Sequence, residues 1–261
     1  MAISSAPLAL RSFEYWTYQY RRTWRGSIVS TVLFPVLFLA SMGLGLGSLV
    51  DSSASRGVDG LPYLVFLAPA LLAATAMQTA VTESTYPVMA SIKWVKTYHA
   101  MLATPLGVLD VLVGHLLYIA ARVLLGSVVF LAVMTLFGAV RSPLALLTLP
   151  AAVLTGMAFA TPVFAFAASR DSDQGFAALF RFVVTPLFLF GGVFFPIEQL
   201  PPLLEQLAYA TPLWHGVALS RELALGTATA GGVVLHVTYL SAWIVVGGWL
   251  AARAFLRRLA V

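Results

Sequence analysis

From residue 28 to residue 252 the sequence is divided into apolar runs of about twenty residues, and short polar stretches between them hold most of the charge. A helix rises about 1.5 Å per residue, so each run is long enough to cross the roughly 30 Å hydrocarbon core of a bilayer. The candidate spans are residues 28–50, 61–81, a part of 107–140, 144–168, 176–195 and 231–252. None shows the alternating apolar-out, polar-in pattern that a transmembrane barrel requires. Composition points the same way: 60% of the residues are hydrophobic and 10% charged, with a mean hydropathy of +0.92. A soluble domain carries about 25% charged residues. So little charge cannot coat a globule in water, and lipid must solvate much of the surface. The expected fold is an all-α integral membrane protein with six transmembrane helices over 28–252. A cytoplasmic N-terminus with an amphipathic interfacial helix (1–27) precedes them, and a basic cytoplasmic tail (253–261) follows.

The polar punctuation carries further information. In residues 8–25, Phe13, Trp16, Tyr20 and Trp24 recur at helical spacing, while Arg11, Glu14, Arg21 and Arg25 lie largely elsewhere on the wheel. That pattern describes a helix lying in the membrane interface. Gly43 and Gly47 have the GxxxG spacing that permits close helix packing, and 51–60 reads as a polar loop. Residues 82–105 are too polar to span and too patterned for a slack linker. Met89, Ile92, Val95, Met101 and Leu102 would line one side of a short interfacial or cytoplasmic helix. In the third run, Asp110, His115 and Arg122 all lie in the first half, so that end should protrude from the bilayer. The fifth span contains Arg181 and is broken by Pro186 and Gly191-Gly192. After it, 196–226 is interrupted by Pro196, Pro201, Pro202 and Pro212, which favours re-entrant or interfacial helices over a span.

Charge gives an orientation. With the N-terminus inside, the inner segments hold Arg11, Arg21, Arg22, Arg25, Lys93, Lys96, Arg170, Arg181, Arg253, Arg257 and Arg258. The outer ones hold only Arg56, Arg141 and Arg221. Eleven against three obeys the positive-inside rule with both termini cytoplasmic, and an even number of spans fits. The net charge of +5 is explained by anionic lipid headgroups beside the spans and needs no nucleic acid. The first 27 residues do not read as a cleavable signal peptide. Thirteen arginines against two lysines fit a GC-rich bacterial genome, and the expected location is a bacterial inner membrane.

Several chemistries are absent from the sequence. There are no cysteines and no asparagines, no phosphate-binding glycine loop before either lysine, no HExxH and no G-x-S-x-G elbow. No catalytic residues, metal site or bound cofactor are expected, and no carboxylate is expected deep among the spans, which argues against a proton-coupled carrier. Three sets of residues invite a functional reading. His115, Tyr118 and Arg122 share a face of the third helix; they line a substrate path, or else Arg122 snorkels to the interface or pairs with a neighbouring helix. Phe176, Phe180, Phe182, Phe188, Phe190, Phe194 and Phe195 line a lipid-like path or simply pack, with Phe188 and Phe194 the candidates for the path. Glu198, Glu205, His215 and Glu222 are the clustered groups that a membrane enzyme would use, or rim residues of re-entrant helices.

The stretch 190–226 (FGGVFFPIEQLPPLLEQLAYATPLWHGVALSRELALG) resembles the closing region of ABC-2-type exporter permeases. The likeness is to the branch of nodulation-factor (lipo-oligosaccharide) and drug-resistance exporters. YLVFLAPA at 63–70 and MLATPL at 101–106 are similar to that family's second span and the end of its cytoplasmic helix. The resemblance implies a six-span half-transporter that pairs with a second copy, or a close paralogue, and binds two copies of a separate cytoplasmic ABC ATPase holding ATP and Mg. It implies a coupling helix over 91–105, with Ser91, Lys93, Trp94, Lys96, Thr97 and His99 as the coupling residues, and an interfacial elbow over 8–25. It further implies an outer gate in 196–226, for which Phe195, Pro196, Glu198, Pro212 and His215 are the candidates. Its substrates would be lipids, glycolipids, polysaccharides or hydrophobic drugs. The rival readings are a passive channel, a secondary carrier and, more remotely, a membrane enzyme.

Overall fold

The computed structural model describes residues 6–53, 58 and 60–259. Helices account for nearly all of them. Helix α1 (Ala6–Phe38) passes into a π-helical stretch (Leu39–Leu46) and then α2 (Gly47–Ser53). After α3 (Tyr63–Ser84) come the short α4 (Tyr86–Met89), a π turn (Ala90–Trp94) and α5 (Thr97–Leu102). The long α6 (Val108–Leu136) is followed, after a 3-10 turn, by α7 (Thr148–Ala168). Helices α8 (Gln174–Leu179) and α9 (Thr185–Phe190) are joined by a π turn. The chain closes with α10 (Pro202–Tyr209), α11 (Pro212–Leu225) and α12 (Ala230–Leu259). Each π stretch lies within a few residues of a proline (Pro35, Pro87 or Pro186). A proline removes one intrahelical donor, and the turn nearby relaxes to accommodate the loss.

Helix α3 is the centre of the bundle. Its apolar window is 78% buried, against 17% for α12 and 24% for the first apolar segment. Phe66, Leu67, Leu71, Leu72 and Met77 are wholly enclosed, and α3 packs on α6, α7 and α11. Close approach depends on small residues. Gly247 lets α12 lie against α7 where a Cβ would come within 2.6 Å of Pro162, and Gly114 lets α6 lie against α1 where one would meet the Ala9 carbonyl. Without a hydrophobic driving force between helices in lipid, such contact area is the main source of association. Outward-facing side chains stay apolar (Val245 on α12 is 70% exposed), as a surface solvated by hydrocarbon or by another subunit requires.

Five helical segments among the described residues are long and apolar enough to span: Thr31–Ser52, Tyr63–Trp94, Val108–Leu136, Pro143–Ala168 and Ala230–Leu259. The expected fifth span is represented by Gln174–Phe190, of 17 residues, or about 25 Å of helix. The boundary expected at residue 27 is not marked by a break, because α1 continues from the aromatic segment into the first apolar run. The GxxxG pair acts within the chain: a Cβ on Gly43 would collide with Leu64 of α3. Part of the expected 51–60 loop is helical as far as Ser53, and the Asp51 carboxylate accepts from the Tyr63 N–H at 2.9 Å, satisfying an orphan donor at the start of α3. Arg56 lies outside the described residues, as do the last two residues of the basic tail. The second apolar segment runs past residue 81 to Trp94, with only a break at Thr85.

Candidate functional site

The segment 85–105 turns sharply at the end of the bundle. Thr85 leaves helical geometry (φ −102°, ψ −95°), Pro87 starts α4, and Lys96 is left-handed (φ 57°), the only such non-glycine residue among those described. The turn puts Trp94 and Val95 outside, 57% and 71% exposed. Val95 therefore does not join Met89, Ile92 and Met101 on the buried side, as periodicity predicted, because the π turn and Lys96 break the helical phase. Lys96 and His99 are exposed and Thr97 half-buried, whereas Ser91 is buried and donates to the Pro87 carbonyl at 2.7 Å.

Two braces hold this turn. Tyr98, fully buried, meets His115 Nδ1 at 2.6 Å. Burial pushes the Tyr98 phenol well above its ordinary value, so it keeps its proton and donates. His115, fully buried, stacks on Trp16 at 3.9 Å and lies edge-on to Phe164, with Tyr118 at 5.9 Å. His115 is thus a core group linking α1, α5, α6 and α7. The second brace is ionic: Lys93 Nζ donates to the Asp171 carbonyl at 2.6 Å, and Arg258 Nη2 reaches the Asp171 carboxylate at 2.7 Å. The hydrogen bond and charge of Arg258 hold that carboxyl below the usual range. Segments far apart in sequence are tied together at one end of the molecule.

Arg122 does not sit with His115 in an open path. Its Nε donates to Glu83 Oε1 at 3.1 Å, and its guanidinium lies 4.2 Å from the centre of the Tyr20 ring. Both side chains of the ion pair are less than one-fifth exposed. Glu83 falls within the second apolar segment, because that segment continues beyond residue 81, and it stands next to the last residue of α3, near the end of the bundle. A cavity of about 350 Å³ lies beside the pair, between α1, α3 and α6.

At the opposite end, His215 Nδ1 and His236 Nδ1 are 2.8 Å apart, and His236 Nε2 is 3.8 Å from Glu222. His215 stacks on Tyr239 at 3.8 Å. Glu198 is elsewhere, exposed and 3.5 Å from Tyr209, so it does not join Glu222, which approaches His215 through His236. Among the described residues no group of three metal-ligating side chains forms. Phe188 and Phe194 meet edge-to-face at 5.1 Å, with Phe38 beyond, while Phe195 and Pro196 are half-buried. Pro212 opens α11 behind Thr211, whose hydroxyl accepts the Trp214 N–H. Arg221, which sequence reasoning treated only as an outer charge, donates to the Phe66 carbonyl (3.2 Å) and the Gly192 carbonyl (2.8 Å) and lies 3.8 Å from the centre of the Phe66 ring. One signal for it is a guanidinium in a segment otherwise rich in apolar residues.

Long apolar helices packed around a hydrophobic central helix, with charged braces at one end and a proline-broken cap at the other, define a helical membrane protein. The chain belongs to the ABC-2 type transporter family, whose model matches residues 12–225. It is similar to Nodulation protein J of Sinorhizobium fredii (strain NBRC 101917 / NGR234), 31% identical over 251 residues that cover 94% of each chain. Nodulation protein J of Rhizobium leguminosarum bv. viciae is 34% identical over 232 residues, 89% of this chain and 87% of that one. Inner membrane transport permease YadH of Escherichia coli (strain K12) is 22% identical over 237 residues, 87% and 89% of the two chains. Family membership makes this chain the membrane subunit of a transporter and implies an ABC ATPase as its partner.

Proposed function

We propose that this chain exports an amphipathic substrate (lipid-linked, glycolipid or oligosaccharide, or a hydrophobic drug) across the inner membrane, driven by ATP hydrolysis on two copies of a separate ATPase. A second copy of the chain, or a close paralogue, completes the transporter. The observation that carries this reading is the pair Trp94 and Val95, held outside on a braced turn between Lys93 and Lys96. An exposed tryptophan on an anchored turn is suited to be an interface anchor, and its rigidity suits it to transmit force. Ser91 and Tyr98 support the turn from within, while Lys96 and His99 flank the contact.

Six crossings with both termini cytoplasmic are supported by two fixed points. Asp171 touches Lys93 and Arg258 at one end of the bundle. Gly192 is tied through Arg221 to Phe66, near the start of α3. Phe66 and Ser84 are separated by about 27 Å of helix before the end turn, and the chain from 171 to 192 runs between the same two ends, which favours a crossing. The segment 174–190 is short for a span but accompanies α7 on this path. In α10, Leu203 and Leu207 are exposed, which suits a helix resting in the outer interface after that crossing.

The test is reconstitution with the partner ATPase. Trp94→Ala combined with Lys96→Ala is expected to weaken ATPase binding at least tenfold, the loss of about 1.4 kcal/mol, and to abolish substrate-stimulated hydrolysis while the membrane subunit stays monodisperse. Full binding and full coupling in that variant would remove the docking assignment.

A further inference from the structure

At the end of the bundle away from Lys93, two histidines share a contact that limits how many protons they can hold. His215 Nδ1 of α11 and His236 Nδ1 of α12 are 2.8 Å apart, and both residues are buried. Only one proton fits between two nitrogens at that distance: one ring donates it and the other presents a bare lone pair. The four ring nitrogens therefore carry at most three protons. Two are present when both rings are neutral. A third charges one ring, and Glu222 Oε1, 3.8 Å from His236 Nε2, favours it on His236. A fourth turns both facing nitrogens into donors, and the contact cannot survive it.

The surroundings do not lift that limit. Tyr239 of α12 stacks on His215 at 3.8 Å, and Trp214 lies edge-on to the two rings at 4.9 and 5.5 Å. From α10, the Tyr209 ring meets Trp214 and its backbone favours a proton on His215, while Glu198 and Glu205 act on Tyr209. On α11, Arg221 bonds to the Phe66 and Gly192 carbonyls. The turn Pro143–Leu147 and α7, which also pack on α11, carry no titratable side chain, and Arg141 meets the Ala224 carbonyl through its backbone. Helix α3 contributes Tyr63, and Glu83, which is paired with Arg122. Glu222 can balance one imidazolium but not two. Burial, and then His236, hold His215 down at about 4, so this ring is neutral at pH 7 and charges as pH falls toward that value. We propose that the His215–His236 contact is a proton-operated latch, which holds α11 against α12 at neutral pH and releases it on acidification. The released helix carries Arg221, so the movement reaches the cap at Gly192. That the acid acts from outside the cell rests on the orientation proposed above; the latch itself does not.

The test measures a distance in the purified full chain. The sequence has no cysteine, so Ala210→Cys before α11 and Thr238→Cys on α12, both exposed, take spin labels alone. Pulsed electron paramagnetic resonance in detergent should read one distance at neutral pH. A second, longer distance should grow in as pH falls from about 6.5, the ordinary histidine value, and reach about half of the molecules near about 4. His215→Gln and His236→Gln each leave a single titratable ring, to which the amide can present its oxygen. Either variant should keep the short distance throughout, and the two serve independently if one is not monodisperse. Glu222→Gln removes the balancing charge and should move the release to lower pH. A single distance in the wild type over the whole range, release in a glutamine variant matching the wild type, or an unmoved midpoint in Glu222→Gln would overturn the proposal. In sealed vesicles, acid on the side opposite the Trp94 turn should suffice. Failure there, with release intact in detergent, would overturn the orientation and not the latch.

Discussion

Removing either member of the Glu83–Arg122 pair tests whether α1, α3 and α6 are held together by charge. At 3.1 Å and an effective dielectric of about 20, the gross attraction is about 5 kcal/mol. Desolvation offsets part of this, and the side chains are 16% and 19% exposed, so water screens a further share. A net loss of about 2–3 kcal/mol is expected for Glu83→Gln, because it strands a guanidinium among helices. Arg122→Gln should cost about 1 kcal/mol more, since it also removes the contact with the Tyr20 ring at 4.2 Å. The double variant should be no worse than Arg122→Gln alone, a coupling energy of about 2–3 kcal/mol. Thermal stability in detergent, read by fluorescence-detected size exclusion, should fall by roughly 5–10 °C for Glu83→Gln. Additive losses in the double variant, or a Glu83→Gln midpoint equal to the wild type, would refute the argument.

Arg221→Met should free the cap after α9, since two charge-assisted bonds to Phe66 and Gly192 are lost at about 1.5–3 kcal/mol each. Limited proteolysis within 190–201 should accelerate, and Arg221→Lys should rescue poorly because an ammonium does not reproduce the guanidinium fork. The Asp171 carboxyl is held below its ordinary value by Arg258, so its contribution is present at neutral pH and is lost as pH falls through the folded value. The stability difference between wild type and Asp171→Asn should therefore shrink on acidification and with added salt; a difference independent of pH would contradict the assignment.

The apolar runs and the distribution of arginine and lysine were enough to read a helical membrane protein, since hydrocarbon tolerates only backbones that satisfy themselves. The proline-rich 196–226 segment likewise announced helices too short to cross, and α10 and α11 are short. Lys93, Trp94, Lys96 and His99 were also legible as a polar end of the bundle, and all four are exposed. Val95 was misread because periodicity assumes an unbroken helix, and the π turn with Lys96 in the left-handed region shifts the phase.

Local sequence cannot say which distant segments touch, and that is where tertiary structure decided. Glu83 and Arg122 are 39 residues apart, Tyr98 and His115 are 17 apart, and His215 and His236 are 21 apart. A partner for Arg122 on a neighbouring helix was one reading of the sequence, but which residue it is, and which residues Tyr98 and His215 meet, only packing supplied. Solvent class is determined by composition, because transfer to lipid acts on each residue separately. Pairing, and with it the cavity between α1, α3 and α6, depends on three-dimensional register, which no run of neighbours encodes.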